Sequence, residues 1–173
     1  MKAQIWIETV VYTLIGLSII AVILALVTPK IQETKDKALI DQSVTLLDEL
    51  SKQIDQIRFT PGNSWPVNIK FDKGKFIVNG EQDTLLFIFE DSKIKYTENG
   101  QNIVRGRVNI KTTIINKEIQ VELLLNYSRI VNVTFDGTDK TRSFASASLP
   151  YDFFMESAGR DENKLMIIDF TGG

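Results

Sequence analysis

The chain has 173 residues, of which 43% are hydrophobic and 24% charged, which fits one membrane or assembly element plus one globular domain. Cysteine and histidine are both absent, which excludes disulfides, thiolate and imidazole chemistry, and the usual ligand sets for zinc, copper and iron. The formal net charge is −2 with no basic stripe to neutralise phosphates, so nucleic acid is not expected as the principal ligand.

The first thirty residues contain the strongest signal. The twenty-one residues from Thr9 to Pro29 carry no charge. At ~1.5 Å per residue, a helix of this length crosses a hydrocarbon core of about 30 Å. Glu8 stands directly before this run, and a carboxylate that enters hydrocarbon needs a partner or a function. We therefore predict over residues 4–29 a helix surrounded by lipid or by other helices, at whose start Glu8 needs a partner or a function.

An amphipathic pattern follows Pro29. Between Lys30 and Arg58, apolar residues recur mostly three, four or seven positions apart, with charged residues between them. These apolar residues are Ile31, Ala38, Leu39, Leu46, Leu47, Leu50, Ile54 and Ile57. Because the helical pattern resumes after the proline, we expect a kink at Pro29 and not the end of the helix. The amphipathic continuation is assigned to residues 30–59.

The rest of the chain reads as strands. The turn cluster at residues 60–64 ends the helix, and strand-like alternation follows. The predicted strands are Val67 to Phe71, Lys75 to Asn79, Thr84 to Glu90, Lys93 to Thr97, Ile103 to Ile115, Ile119 to Asn126, Arg129 to Phe135, Thr141 to Leu149 and Lys164 to Phe170. Glycine and asparagine between them favour tight antiparallel hairpins.

Two segments of this part predict where the core lies. The run from Leu85 to Phe89 is apolar without alternation, which indicates a central strand covered on both faces, one cover being the amphipathic helix. The aromatic cluster of Tyr151, Phe153, Phe154 and Met155 is assigned to the core, with a partner surface as the alternative. The predicted fold class is α+β: a long hydrophobic, then amphipathic helix, followed by an antiparallel all-β domain over residues 60–173, sandwich-like or a curled sheet.

The N-terminus resembles a known family. Lys2-Ala3 before Gln4-Ile5-Trp6-Ile7-Glu8, followed directly by an uncharged helix, resembles the class III signal peptide of archaeal type IV pilins and archaellins. The resemblance implies that a prepilin peptidase cuts between Ala3 and Gln4, which makes residues 1–3 a leader peptide. Glu8 then becomes the fifth mature residue, where the family has a glutamate. This chain has Ala3 where the family usually has glycine, and Trp6 where it usually has a small residue.

The same resemblance implies a function. The chain is expected to be a structural subunit of a surface filament, with a role in adhesion or surface attachment. Its expected partners are copies of itself, other pilins, the prepilin peptidase and the membrane assembly machinery. Before assembly it is expected as a single-pass membrane protein with a cytoplasmic N-terminus, and afterwards in an extracellular filament. This orientation comes from the resemblance alone, because the lysines after the helix outnumber Lys2 before it.

Two alternatives stay open from the residues. A single-pass anchor that holds a monomeric extracellular β-domain as a binding module requires the same apolar helix. A cleaved secretory peptide is less favoured, since the apolar run exceeds the usual ~7 to 15 residues and lacks an A-x-A-like exit. Within the filament class, major, minor and archaellin-like subunits are equally compatible with the sequence.

The candidate site residues are few. After cleavage, the Gln4 amine of the same chain would partly neutralise Glu8. In a filament, Glu8 is expected instead to meet the Gln4 amine of a neighbouring chain and so to set the register. Two sequons, at Asn126 and Asn132, lie on faces that alternation predicts to be exposed, and are candidates for N-glycosylation. No nucleophile elbow, phosphate loop, dinucleotide fingerprint or calcium loop is present, so no catalytic residue, cofactor or metal is predicted.

Overall fold

A computed structural model describes residues 2–173, with side chains from Trp6 onward. In this part of the chain one helix, α1 (Lys2–Ile57), precedes ten strands. The strands are β1 (Ser64–Ile69), β2 (Lys75–Asn79), β3 (Thr84–Ser92), β4 (Asn102–Arg105), β5 (Val108–Ile115), β6 (Glu118–Asn126), β7 (Val131–Phe135), β8 (Thr141–Ala145), β9 (Tyr151–Arg160) and β10 (Met166–Gly172). The predicted order of a long helix followed by antiparallel-rich sheets, an α+β fold, is confirmed.

The strands form two sheets. The four-stranded sheet has the order β1-β9-β10-β7, and the six-stranded sheet has the order β4-β5-β6-β3-β2-β8. All pairings between the described strands are antiparallel except that of β7 with β10, which is parallel. A tight hairpin forces antiparallel pairing, but β7 and β10 are separated by two further strands, so their directions are free to agree.

Several strand predictions need correction. The predicted strand from Ile103 to Ile115 is two strands, because the chain turns at Gly106, which has a φ of 61°. The predicted strand from Lys93 to Thr97 is not a strand. At its end, the N–H groups of Thr97 and Thr112 each donate to the other residue's Oγ1 at 2.9 Å, where a ladder would have bonds to backbone carbonyls. The ten-residue strand β9 was not predicted, although its buried residues alternate in sequence.

The second half of α1 lies on the sheets. Residues spaced alternately by four and three positions are buried: Asp36, Ile40, Ser43, Leu47, Leu50, Ile54 and Ile57. This face of α1 contacts β1, β3, β5 and β6, so the helix packs against residues from both sheets. Burying each of the large aliphatic side chains contributes roughly 1.5–3 kcal/mol. The predicted amphipathic continuation therefore holds the helix to the β-domain.

The core predictions are partly confirmed. Strand β3 is central, between β2 and β6, and Leu85, Phe87 and Phe89 are buried on one face. Leu86 and Ile88 on its other face are half-buried, so the second face is only partly covered. In the aromatic cluster, the burial of Phe153 and Met155 and the half-burial of Tyr151 fit the core assignment, whereas Phe154 points outward and is 51% exposed. Alternation along β9 explains both results.

Candidate functional site: the two halves of the long helix

The first half of α1 has no cover within the described chain. From Trp6 to Val27, hereafter the apolar segment, the large hydrophobic side chains are 40% to 74% exposed. Its most apolar 18-residue window has a mean hydropathy of 2.8 and is 0% buried, which makes α1 long and apolar enough to cross a membrane. An exposed apolar surface of this size marks a site of contact with lipid or with other proteins. Because apolar residues surround the segment on all sides, such contacts have to enclose it.

Three hydroxyl groups of this half are bonded within the helix. Thr13 donates to the carbonyl of Thr9 at 2.8 Å, Ser18 to that of Leu14 at 2.7 Å, and Thr28 to that of Leu24 at 2.7 Å. In hydrocarbon, a polar group without an internal partner costs several kcal/mol, and these hydroxyls avoid that cost. The helix therefore suits surroundings without water, whether lipid or a bundle of helices.

Glu8 lies near the start of the apolar segment. Its side chain is exposed, and no cation among the residues with described side chains lies within ion-pair distance of it. The predicted cleavage residues, Ala3 and Gln4, fall outside the part of the chain whose side chains the structure describes. Glu8 is thus a carboxylate on an apolar rod, and its role in filament register stays a prediction.

The helix continues through Pro29, as predicted. Proline lacks the N–H that would bond the carbonyl of Ala25, so the ladder loses one bond at the point where the apolar run ends. The first ion pair follows at once, between Lys30 Nζ and Glu33 Oε2 at 2.7 Å. From Asp36 to Ile57, hereafter the docked segment, the helix is fixed to the β-domain. Asp36, six residues after Lys30, is the first residue of this segment that bonds to the β-domain, through Lys73.

Asp36 is the most buried carboxylate of this interface. Its residue is 8% exposed, and both of its carboxylate oxygens accept hydrogen bonds from Lys73 Nζ at 2.9 Å. Oδ2 also accepts from the backbone N–H of Lys93 at 2.7 Å. Lys73 Nζ in turn donates to the carbonyl of Asp91 at 3.0 Å. These bonds tie the start of the docked segment to the loops on either side of the β2–β3 hairpin.

Three further aspartates, seven residues apart, face the β4–β5 hairpin. We call Asp41, Asp48 and Asp55 the carboxylate row. Asp41 accepts hydrogen bonds from the Tyr96 hydroxyl at 2.6 Å and from the Arg105 guanidinium. The Tyr96 hydroxyl, and then the Arg105 guanidinium, lower the pKa of the Asp41 carboxyl from its usual value. A seven-residue repeat keeps side chains on one face of a helix, so the row follows one line of α1.

The other two members of the row are close to the tip of the same hairpin. Asp55 Oδ1 accepts from Arg107 Nη1 at 2.8 Å. Asp48 lies so near Gly106 that a Cβ added to the glycine would stand 2.5 Å from its Oδ1. Glycine also permits the left-handed φ of 61° at the turn. The seven-residue spacing of these aspartates is visible in the sequence, but the sequence analysis did not predict an interface from it. The pairing of Asp36 with Lys73 was not predicted either.

The two sequon asparagines differ in their surroundings. Asn126 is exposed, as predicted, and its Oδ1 accepts from the N–H of Ser128 at 2.9 Å and from its hydroxyl at 2.7 Å. Asn132 is half-buried and therefore less exposed than predicted. Its Oδ1 is buried without a hydrogen-bond partner in the described chain. Its amide contacts Asp161 at 3.5 Å. Asn126 is therefore the more accessible of the two.

No protein-family model matches this chain, and neither the curated proteins nor the solved structures contain a match. The chain's own geometry is what indicates a function. The apolar first half of α1 is not covered by the described chain, and its second half is fixed to the β-domain.

Proposed function

We propose that this chain is a subunit of an archaeal type IV pilus-like surface filament, assembled through the apolar segment. The observation that carries the proposal is the continuity of α1: one helix is uncovered over Trp6–Val27 and fixed to the β-domain from Asp36 onward. A flexible link between anchor and domain would let each domain move freely. A continuous helix instead transmits the position of its packed half to the domain.

Assembly then consists of an exchange of contacts. Before assembly, lipid surrounds the apolar segment; in the filament, apolar segments of neighbouring subunits replace the lipid. Helices in hydrocarbon gain little from the hydrophobic effect when they associate, so packing and polar contacts have to favour the assembled state. The β-domain, fixed to the docked segment, stays outside the bundle and forms the filament surface.

Glu8 supplies the polar contact in this proposal. A bundle of aliphatic side chains distinguishes poorly between axial registers, whereas a carboxylate within it is costly unless it meets a cation. Cleavage between Ala3 and Gln4 would create such a cation, the new Gln4 amine. The proposal therefore includes processing by a prepilin peptidase and assembly with copies of itself or with other pilins.

The test is mass spectrometry of the mature N-terminus, with negative-stain microscopy of the same cells. Gln4 as the first residue, together with filaments that contain this chain, is the expected result. In Glu8→Ala, the protein should still enter the membrane but filament yield should fall strongly. Glu33→Ala, which removes an exposed carboxylate outside the apolar segment, is the matched control and should assemble normally.

The second candidate is a membrane-anchored monomeric binding module. The length and hydropathy of the apolar segment favour it, since they suffice for a single span without any partner. An intact Met1 or Lys2 start and a monomer in mild detergent would support this candidate and contradict the filament proposal.

A further inference from the structure

A hollow of about 390 Å³ lies beside the end of α1 that is farthest from the apolar segment. Its lining includes four cations, Arg58, Arg129, Arg160 and Lys164, and two exposed apolar side chains, Phe59 and Ile130. We call these six residues the cationic hollow. The cations come from three separate places: the end of α1, the β6–β7 loop and the β9–β10 turn. The fold therefore brings together charges that the sequence keeps apart.

The backbone at two of these cations is unusual. Arg129 has a φ of 68° and Lys164 a φ of 64°, in the left-handed region that favours glycine and asparagine. Asn163 stands next to Lys164 and would fit such a position better than lysine does. Both turns thus hold a long cationic side chain at a point where a smaller residue would relieve the backbone.

The charges of the hollow are poorly neutralised. Arg58 is 3.7 Å from Asp55, which already pairs with Arg107 at 2.8 Å. Arg160 Nη1 donates to the backbone carbonyl of Lys164 at 2.8 Å. Within the described residues, the side chains of Arg129 and Lys164 have no ion-pair or hydrogen-bond partner.

The acids of the β9–β10 turn, Asp161 and Glu162, do not line the hollow. Asp161 Oδ1 accepts from the N–H of Leu165 at 2.8 Å, which stabilises the turn itself. The residues that line the hollow include four cations and no carboxylate, so the hollow is a concave cationic surface that suits an anion.

The apolar part of the hollow narrows the class of anion. Phe59 is 71% exposed and Ile130 is 47% exposed, and the Arg58 guanidinium lies over the Phe59 ring at 4.6 Å from its centroid. A hollow of this volume falls within the usual range of about 300–1,000 Å³ for small-molecule sites. A sugar ring carries both surfaces that match: C–H faces that pack on an aromatic ring, and substituents that can be carboxylate or sulfate.

We propose that the cationic hollow binds one acidic sugar unit, a uronic acid or a sulfated sugar, of a polysaccharide. Arg129 and Lys164 bind the anionic group through charge-assisted hydrogen bonds, while the Phe59 ring packs against the sugar. Nucleic acid fits less well, because its phosphates require cations spaced along a stripe and here they surround a single hollow. This binding goes beyond the proposed filament function and needs only one chain.

The test is titration calorimetry of the full chain in detergent micelles with hexagalacturonate, and with a sulfated hexasaccharide in parallel. Maltohexaose, a neutral sugar of the same length, is the ligand control. Binding of at least one acidic oligosaccharide, weakened by added salt, is expected. The double substitution Arg129→Gln with Lys164→Gln should weaken that binding about tenfold or more, as the loss of two charge-assisted contacts predicts.

The chain offers a matched control. Lys117 is a turn lysine with a positive φ of 71°, and Lys111 is an exposed cation on the neighbouring strand β5. Lys111→Gln with Lys117→Gln changes the net charge equally but lies outside the hollow, and should leave affinity within about twofold of the original. Exchange of the cations, Arg129→Lys with Lys164→Arg, keeps the charge and should retain most of the binding.

Several outcomes would overturn the proposal. Equal losses in the two double variants would show a general charge effect, and tight binding of maltohexaose would show that the cations are not used. Unchanged sugar binding with impaired self-association of the Arg129/Lys164 variant would assign the hollow to a second copy of the chain. The mature N-terminus and the presence of filaments are measured separately, so failure here leaves the filament proposal standing.

Discussion

The apolar segment and the docked segment belong to one helix but differ in what covers them. In the docked segment, Leu47 and Ile54 are fully buried against the β-domain, whereas Leu17 in the apolar segment is 59% exposed. Similar aliphatic side chains thus form the core in one half and are left uncovered by the described chain in the other half. Within the described chain, a hydrophobic side chain of α1 is therefore buried only if it lies after Pro29.

The largest expected effect comes from truncating one buried leucine. Leu47→Ala leaves a cavity between α1 and the sheets and should lower the free energy of unfolding of the β-domain by about 2–5 kcal/mol. Leu17→Ala makes the same chemical change in the apolar segment and should leave that free energy within ~0.5 kcal/mol. Denaturant unfolding followed by Trp65 fluorescence in a Trp6→Phe background measures both.

Equal losses in the two leucine variants would contradict the division of α1 into two halves. If Leu17→Ala alone reduces filament yield while Leu47→Ala alone reduces domain stability, the division becomes sharper. Each half would then have its own measurable role.

The second test concerns the buried carboxylate at the start of the docked segment. Asp36→Asn leaves the ammonium of Lys73, whose side chain is 30% exposed, without its charge partner. The expected loss of unfolding free energy is about 1–3 kcal/mol, the usual cost of an unsatisfied partly buried group. Glu33→Gln breaks the solvent-accessible pair with Lys30, three residues before the docked segment begins, and should cost at most ~1 kcal/mol. A loss for Glu33→Gln as large as that for Asp36→Asn would show that the docked segment begins earlier than Asp36.

How far the sequence predicts this architecture depends on how local each signal is. The end of the helix near Arg58 and the strand at residues 75–79 follow from local periodicity and turn residues, and the structure has them at Ile57 and at β2. Strand β9 was not predicted, because the cluster from Tyr151 to Met155 was assigned to the core as a whole and the alternation within it was not used. Its partners, β1 and β10, are identified only by long-range pairing.

In the candidate functional site, too, only the local features could be predicted from the sequence. The apolar segment is a run of neighbouring residues, so its exposure pattern follows from composition alone. The bond between Asp36 and Lys73 joins residues 37 positions apart, and the cationic hollow joins three loops or ends of elements. One sequence contains no signal for such meetings, because each of these charges also fits an ordinary solvated surface.

A third prediction separates close packing from backbone strain at the hairpin tip. Gly106 and Gly100 both have positive φ, 61° and 78°, but only at Gly106 would a Cβ meet another group, Asp48 Oδ1. Both Gly→Ala variants should lose about 1 kcal/mol from the left-handed backbone, with up to ~1 kcal/mol more at Gly106 from displacement of Asp48. Thermal or denaturant unfolding of the two variants gives the difference, and adding Asp48→Ala to Gly106→Ala should remove the excess. An equal loss in both variants would mean that Asp48 does not lie against Gly106 in solution.

The smallest expected effect is the pH dependence that Asp41 contributes. The pKa of Asp41 is lowered in the folded chain by the Tyr96 hydroxyl and then by Arg105, so folding favours its ionised form. The resulting stability is fully present above the unfolded pKa of about 4 and is lost as the pH falls through the lower folded pKa. Because the Asp41 side chain is 40% exposed, solvent screening limits this contribution to at most ~1 kcal/mol.

Unfolding free energies of the wild-type chain and of Asp41→Asn should therefore differ most near pH 6 and converge toward pH 2. Glu49→Gln, an exposed residue of the same helix, serves as the control and should follow the wild-type curve. A gap for Asp41→Asn that stays constant with pH would assign the contribution of Asp41 to packing and not to its charge. Asp41 would then stabilise the docked segment through contacts that do not depend on its charge.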